Sequence, residues 1–347
     1  MTPNRKRHAI LALSILGWYV SSSLLMSANK VLFDYLDLEI PLLVTFIHFS
    51  LTAFILVAVR ARWPDVVGKV EISRSDYFRS ILPVAICTAG DVGLSNMAYS
   101  RLPISIITVL KSSAPVCIYT AAVVAGVERF NYRTSIICIW IATSVAFAIP
   151  SDAGDDHGQS SYVVGIFMVV TAVICLSIRW VLVHSLTRRF TPVQLVYLIQ
   201  PSSALVMLPF AISLECNSNL TESFKSQSLT AASLLIVGSA IAALVLLLLE
   251  YKIVHDTSSL TLSIGGIGKE ILTLCLSVLL FHESFSLRQV IATSASIIGI
   301  LVYAIMRSRE GDGGYSPPPS AEPKPVFPAS KLGDEESMKS VDEFGVE

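Results

Sequence analysis

Ten stretches of the chain are each apolar for about the length of a membrane-crossing helix. They are residues 9–32, 41–59, 80–99, 104–125, 133–150, 162–184, 193–214, 229–250, 257–280 and 287–306. The hydrocarbon core of a bilayer is about 30 Å thick, which takes about 20 residues of α-helix to cross. Inside it no water meets the peptide groups, so a spanning chain must close its own hydrogen bonds as helices or as a sealed barrel. The runs are too long for barrel strands and lack two-residue alternation. The expected fold is therefore an all-α polytopic membrane protein with ten transmembrane helices. Only 15% of the residues are charged, against roughly a quarter in a soluble domain. The formal net charge of −1 gives no reason to expect nucleic acid as a partner. The first apolar run is too long for a cleavable signal peptide and has no small-residue cleavage site.

Lys and Arg concentrate in the loops that stay cytosolic, and this bias sets orientation. With the N-terminus in the cytosol, fifteen of the 25 basic residues fall on that side and three on the other, Arg101, Lys225 and Arg288. Both termini are then cytosolic. The sequon Asn219-Leu220-Thr221 becomes lumenal, where it is either glycosylated or an unmodified loop asparagine. Residues 310–347, opening EGDGGYSPPPSAEPKP, hold nine acidic and three basic residues and cannot bury a core. That tail carries trafficking or phosphorylation signals, or is simply solvated. The expected organisation is a cytosolic N-terminus (1–8), a five-helix repeat (9–150), a lumenal loop (151–161), a second repeat (162–306) and a disordered acidic cytosolic tail (307–347).

The two halves echo each other. IPLLVTFIHFSLTAFIL (40–56) matches TPVQLVYLIQPSSALVM (191–207), and E-x-F-x-x-R precedes a span at residue 128 and again at residue 283. The copies lie five spans apart. An odd number of spans turns the second copy upside down, and inverted repeats are a mark of transporters that rock about a central site.

Six ionisable residues fall within or at the ends of the spans: Asp91, Lys111, Arg179, Glu250, Lys269 and Glu270. A charge at mid-membrane costs about 2.5–3.5 kcal/mol on insertion scales. One reading is that these groups face a wet central cavity; the other is that they lock helices together as ion pairs. Structural or interfacial roles are open for Glu250, and a helix-pairing or gating role for Asp91 and Asn96. Lys111 and Lys269 differ, because they occupy corresponding places in the fourth and ninth spans. Two ammonium groups from opposite halves suit a cargo with two or more phosphate charges. Glu270, beside Lys269, would keep binding from becoming too tight for release. Gly265, Gly266 and Gly268 either let a flat ring or sugar approach the backbone or are ordinary small-residue packing. The segment is not a P-loop, because residue 263 is serine and Glu270 stands where Ser or Thr is required.

At these residues the chain resembles the nucleotide-sugar and triose-phosphate transporter family, within the drug/metabolite transporter superfamily, over about residues 10 to 306. GWYVSSSLLMSANKVLF resembles that family's first span, and DVGLSNMAYSRLPISIITVLKSSAPV its third and fourth. GGIGK (265–269) is similar to the Gly-Ala-Leu-Asn-Lys motif by which GDP-mannose carriers contact substrate. With DVGLSN, SIRW (177–180) and SSLTLSIGGIGKE, the likeness is greatest to the fucose-transporter-related C-type branch of solute carrier family 35. There are departures. The motif's asparagine is Gly268 here, and the seventh and eighth spans lack the accompanying Phe-Tyr-Asn-Asn. Glu270 replaces the arginine of the plastid triose-phosphate branch, and no plastid transit peptide precedes the first span.

The resemblance implies two inverted five-helix repeats and exchange of a cytosolic nucleotide sugar, GDP-linked among the candidates, for a lumenal nucleoside monophosphate. The membrane would be that of the Golgi or the endoplasmic reticulum. It implies Lys111, Lys269 and the neighbouring Ser112 at phosphate, and the three glycines at the base or sugar. Tyr19, Asn29 and Lys30 would serve the first-span side of the cavity or its gate. Arg179 is either a third cation or the partner of Asp91. A homodimer is the one protein assembly to consider. Two alternatives stand: an antiporter of phosphorylated metabolites or other organic anions, and a non-transporting membrane partner that regulates glycosylation. No enzyme, metal or cofactor is expected, since the six cysteines lack ligand spacing and the histidines are scattered.

Overall fold

The computed structural model describes residues 3–36, 38, 40–126, 130–148, 156–215, 229–256 and 286–309, and between them 266, 268, 269, 271–273, 275, 276 and 278–280. Gly265, Glu270, the Asn219 sequon, residues 151–155 and residues 310–347 lie outside the described residues, while residues 156–161 of the expected loop and 307–309 of the expected tail are helical. The principal helices are α1 (Pro3–Lys30), α2 (Pro41–Arg62), α3 (Leu82–Tyr99), α4 (Ile104–Lys111), α5 (Ala114–Val124), α6 (Tyr132–Ala148), α7 (Asp156–Leu186), α8 (Pro192–Glu215), α9 (Leu229–Asp256) and α10 (Leu287–Arg309). Among the described residues there is no strand.

Among the described residues, seven helical stretches are long and apolar enough to cross a bilayer: Ala9–Phe33, Pro41–Arg62, Arg74–Tyr99, Ile106–Val124, Ser160–Leu186, Pro192–Glu215 and Thr230–Asp256. The remaining apolar runs coincide with shorter helices, Tyr132–Phe147, Ile271–Leu280 and Leu287–Tyr303. The chain is a polytopic all-helical membrane protein. Its polarity is inside out. Leu13, Phe54, Phe167 and Leu234 are exposed, while Asn29, Thr45, His48, Asp91, Asn96, Arg179 and Glu250 are buried. Lipid is the solvent for such an exterior, and the polar groups retreat to where other polar groups meet them.

Local sequence starts the helices where they are needed. Pro41 and Pro192 open α2 and α8, where a missing N–H is no loss. Thr191 and Gln194 cap α8 reciprocally, the Thr191 N–H to Gln194 Oε1 at 3.0 Å and the Gln194 N–H to Thr191 Oγ1 at 3.3 Å. Ser286 and Gln289 do the same for α10, at 2.9 and 3.3 Å. The start of α2 has a cap supplied from another helix. Glu215, the last residue of α8, accepts the Leu42 and Leu43 N–H groups on its two carboxylate oxygens, each at 2.7 Å. A carboxylate at a helix N-terminus satisfies orphan donors and meets the positive end of the helix dipole.

Packing joins α3 to α7, α1 to α9, α2 to α8 and α6 to α10, with α8 also against α3 and α9 against α2. Small residues set the closest approaches. A Cβ on Gly90 of α3 would stand 2.9 Å from Cys175 Sγ of α7. A Cβ on Gly268 would collide with the Tyr19 hydroxyl and stand 3.0 and 3.1 Å from two of its ring carbons.

Two expectations follow from this packing. Glu215→Ala should lower stability by about 1–2 kcal/mol, as loss of a helix cap does, read as a lower unfolding midpoint of the purified protein in detergent. Gly268→Ala should cost about 1–3 kcal/mol by overpacking, and Tyr19→Leu in the same chain should recover most of the loss in the same assay.

Candidate functional site

A cavity of about 280 Å³ lies among the helices, lined from α1, α2, α3, α4, α5, α7, α9 and residues 266, 269 and 273. Neither α6 nor α10 contributes to it. One end is charged. Asp91 of α3 holds Arg179 Nη2 of α7 at 3.2 Å on one carboxylate oxygen and Lys111 Nζ at 3.8 Å on the other. The Arg179 side chain is 5% exposed and that of Lys111 is 30% exposed. Arg179 is therefore sealed into the wall, while Lys111 is open to the cavity. Arg179 also stacks its guanidinium 4.9 Å from the Trp180 ring centroid, and Trp180 meets Tyr251 edge-on. Across the cavity, Glu250 of α9 accepts the Trp18 indole N–H at 3.0 Å. The Lys269 ammonium lies 5.2 Å from the centroid of that same indole.

The backbone breaks where Lys111 is presented. Pro115 lacks the N–H that would bond to the Lys111 carbonyl four residues back, so α4 ends at Lys111 and α5 restarts at Ala114. Ser112 and Ser113 sit in the break, their hydroxyls donating back to Val109 and Leu110 carbonyls, each at 2.7 Å. Lys111 thus stands at the negative end of a half-helix, which favours a cation there.

The other end of the cavity is neutral and hydrogen-bonding. Thr45 donates to the Pro41 carbonyl at 2.7 Å, Asn96 Nδ2 donates to Thr45 Oγ1 at 2.7 Å, and Asn29 Nδ2 donates to Asn96 Oδ1 at 3.2 Å. This relay joins α1, α2 and α3. Beside it His48 Nε2 and Ser239 Oγ lie 2.8 Å apart, joining α2 to α9. Trp18 and Asn29 are eleven residues apart on α1, as are Glu250 and Ser239 on α9. At 1.5 Å per residue the charged and neutral ends are about 16 Å apart along α1 and α9, and about 8 Å apart along α3, where Asp91 and Asn96 are five residues apart.

Of the residues singled out from sequence, Lys111, Lys269, Arg179, Gly266, Asn29, Asp91 and Asn96 line this one cavity. Arg179 is paired with Asp91. Gly266 faces open space, with nothing within 4 Å of a Cβ built there. Gly268 faces Tyr19 instead, and neither is among the lining residues. Lys30 is buried beyond Asn29, outside the lining. Ser112 turns away to Ser296 Oγ of α10 at 3.0 Å. Gly265 and Glu270 lie outside the described residues. Sequence reasoning missed Trp18, His48, Thr45 and Ser239. A buried indole N–H needs an acceptor, but nothing in the sequence says that the acceptor of Trp18 is Glu250.

The sequence pattern of the Triose-phosphate Transporter family matches residues 9–304. An Arabidopsis thaliana protein named "Probable sugar phosphate/phosphate translocator" is 27% identical over 305 residues, covering 83% of this chain and 71% of that protein. UDP-galactose transporter 1 of the same plant is 22% identical, covering 85% of this chain and 86% of its own length. A GDP-mannose transporter, also of Arabidopsis thaliana, is 22% identical with 85% of each chain covered. A crystal structure of another protein superposes with a TM-score of 0.57 at 16% identity, over 88% of this chain and 99% of that one, a likeness of fold. With the family pattern running through every helix that lines the cavity, the chain belongs to the Triose-phosphate Transporter family and is a membrane transporter, not an enzyme.

Proposed function

We propose that the protein exchanges a cytosolic nucleotide sugar for a lumenal nucleoside monophosphate by alternating access, across a Golgi or endoplasmic reticulum membrane. The observation that carries this reading is the convergence of Lys111 and Lys269 on one cavity from opposite halves of the chain. Its charged end holds three cations, Lys111, Arg179 and Lys269, against two carboxylates, Asp91 and Glu250, among the described residues. The surplus is positive, and a phosphate-bearing cargo completes it. The neutral end, about 8 to 16 Å away by helical rise, suits an elongated cargo with phosphates at one end and hydrogen-bonding groups at the other. Lys111 and Lys269 contact phosphate, and Gly266 and Asn29 border the rest of the cargo.

In this reading the ten apolar runs are ten spans in two inverted repeats, 9–150 and 162–306, with both termini cytosolic. The helix pairings support it. Exchanging each helix for its counterpart in the other half turns the α3–α7 contact into α9–α1 and the α8–α3 contact into α2–α9. The α2–α8 and α6–α10 contacts map onto themselves. A set of contacts unchanged by that exchange is what two inverted copies produce. A second reading, an antiporter of phosphorylated metabolites, is favoured by the relative named as a sugar phosphate/phosphate translocator.

Purified protein in liposomes preloaded with single nucleoside monophosphates, or with inorganic phosphate, separates the two. Uptake of a nucleotide sugar should require one preloaded monophosphate; sugar phosphate uptake driven by phosphate alone would favour the second reading. Lys111→Ala and Lys269→Ala should each reduce exchange by about 10-fold or more, the scale of a lost charge-assisted hydrogen bond. Wild-type exchange in both variants would overturn the reading.

A further inference from the structure

Each half of the chain brings a carboxylate and a lysine into the cavity, Asp91 with Lys111 and Glu250 with Lys269, but the two pairs are in different states. Lys111 is on its acid, at 3.8 Å. Lys269 is not: among the described residues no carboxylate pairs with it, although Glu250 lines the same cavity. Opposite charges in a cavity walled by apolar helices attract more strongly than in bulk water, so something must keep Glu250 elsewhere. That group is Trp18. Its indole N–H occupies Glu250 at 3.0 Å, and its ring lies under the Lys269 ammonium at 5.2 Å. A hydrogen bond to the carboxylate satisfies it without a second cation. A cation–π contact seats the ammonium without cancelling its charge.

We propose that Trp18 is the positioning residue of the second phosphate contact: its N–H holds Glu250 off Lys269 while its face seats Lys269, so that this charge is left for the anionic cargo. The inference rests on the reading of Lys269 as a phosphate contact. It goes beyond that reading by giving the cavity an order of engagement. Cargo phosphate meets Lys269 with no resident carboxylate among the described residues, whereas at Lys111 it must displace Asp91.

The test is a four-way comparison of wild type, Trp18→Phe, Glu250→Gln and the double variant in reconstituted exchange. Guanosine monophosphate, uridine monophosphate and inorganic phosphate each serve as labelled probe, and unfolding midpoints are recorded alongside. Phenylalanine keeps a ring face and removes the N–H, so Glu250 is released onto Lys269. Trp18→Phe should raise the apparent KM for the probe the wild type exchanges by about fivefold, a modest coupling between linked sites, with the maximal rate largely kept. The double variant should return KM to the wild-type value, because a glutamine cannot compete for the ammonium. Glu250→Gln alone still accepts the indole N–H and adds to the positive surplus of the cavity, so KM should fall or stay, and should not rise. An unchanged KM in Trp18→Phe, a double variant as impaired as Trp18→Phe, or a Glu250→Gln rise as large as that of Trp18→Phe would each overturn the proposal. If Trp18→Phe does not fold, Trp18→Met, which also lacks the N–H, takes its place, alone and with Glu250→Gln, under the same criteria. Wild-type transport in Lys269→Ala would instead remove the phosphate contact on which the inference rests.

Discussion

A carboxylate taken out of water between two cations is the interaction on which this molecule is arranged. Each ion moved from water to a membrane interior costs several kcal/mol even after relaxation. Asp91, Arg179 and Lys111 can be there only because each compensates another. Arg179 is sealed, so its pairing with Asp91 fastens α3 to α7, where Gly90 lets the backbones come close. Removing Asp91 would leave the sealed Arg179 guanidinium without its carboxylate, at a cost of about 3–5 kcal/mol, whereas removing Arg179 leaves Asp91 with Lys111. Lys111 is the exchangeable member, more exposed and more distant from the acid. One carboxylate thus has two tasks, tying helices together on one oxygen and meeting a cavity-facing amine on the other.

The backbone is shaped around the same need. A continuous helix through residues 104–124 would leave Lys111 mid-helix, with no terminal dipole to favour its charge. Pro115 ends the first half-helix at Lys111, and two serine hydroxyls return their protons to the carbonyls of the preceding turn. Broken helices are tolerated at membrane depth only where protein or a wet cavity meets the freed peptide groups. The cap from Glu215 onto α2 applies the same rule at a helix end, with a side chain of α8 closing what water would otherwise solvate.

Much of this was legible in the sequence, for reasons of scale. Burying a charge in lipid is costly enough that Lys111, Lys269, Asp91 and Arg179 stand out in their apolar runs without any structure, and all four line one cavity. Residues 104–125 read as one uninterrupted span, and the break after Lys111, where Pro115 lacks its N–H, came only with the structure. Neutral partners were not legible. Serine, threonine, histidine and asparagine are common in membrane helices, and nothing in their spacing says that Asn29, Asn96 and Thr45 form one relay or that His48 meets Ser239. The glycines before Lys269 were ambiguous for a related reason: whether a missing Cβ serves a cargo or a neighbour depends on what lies opposite. Opposite Gly266 is open space, and opposite Gly268 is Tyr19.

The sequence by itself determined that the chain lies in a membrane as apolar helices, and that a few charges inside it must meet compensation. Those conclusions follow from transfer free energies that depend on residue type and run length alone. Tertiary structure alone decided which charges compensate which. Asp91 is 88 residues from Arg179 and Trp18 is 232 residues from Glu250. Contacts of that kind are fixed by how close two helices can pack and how their faces are turned. Small differences at residues such as Gly90 and Gly268 control that, and no local pattern encodes it.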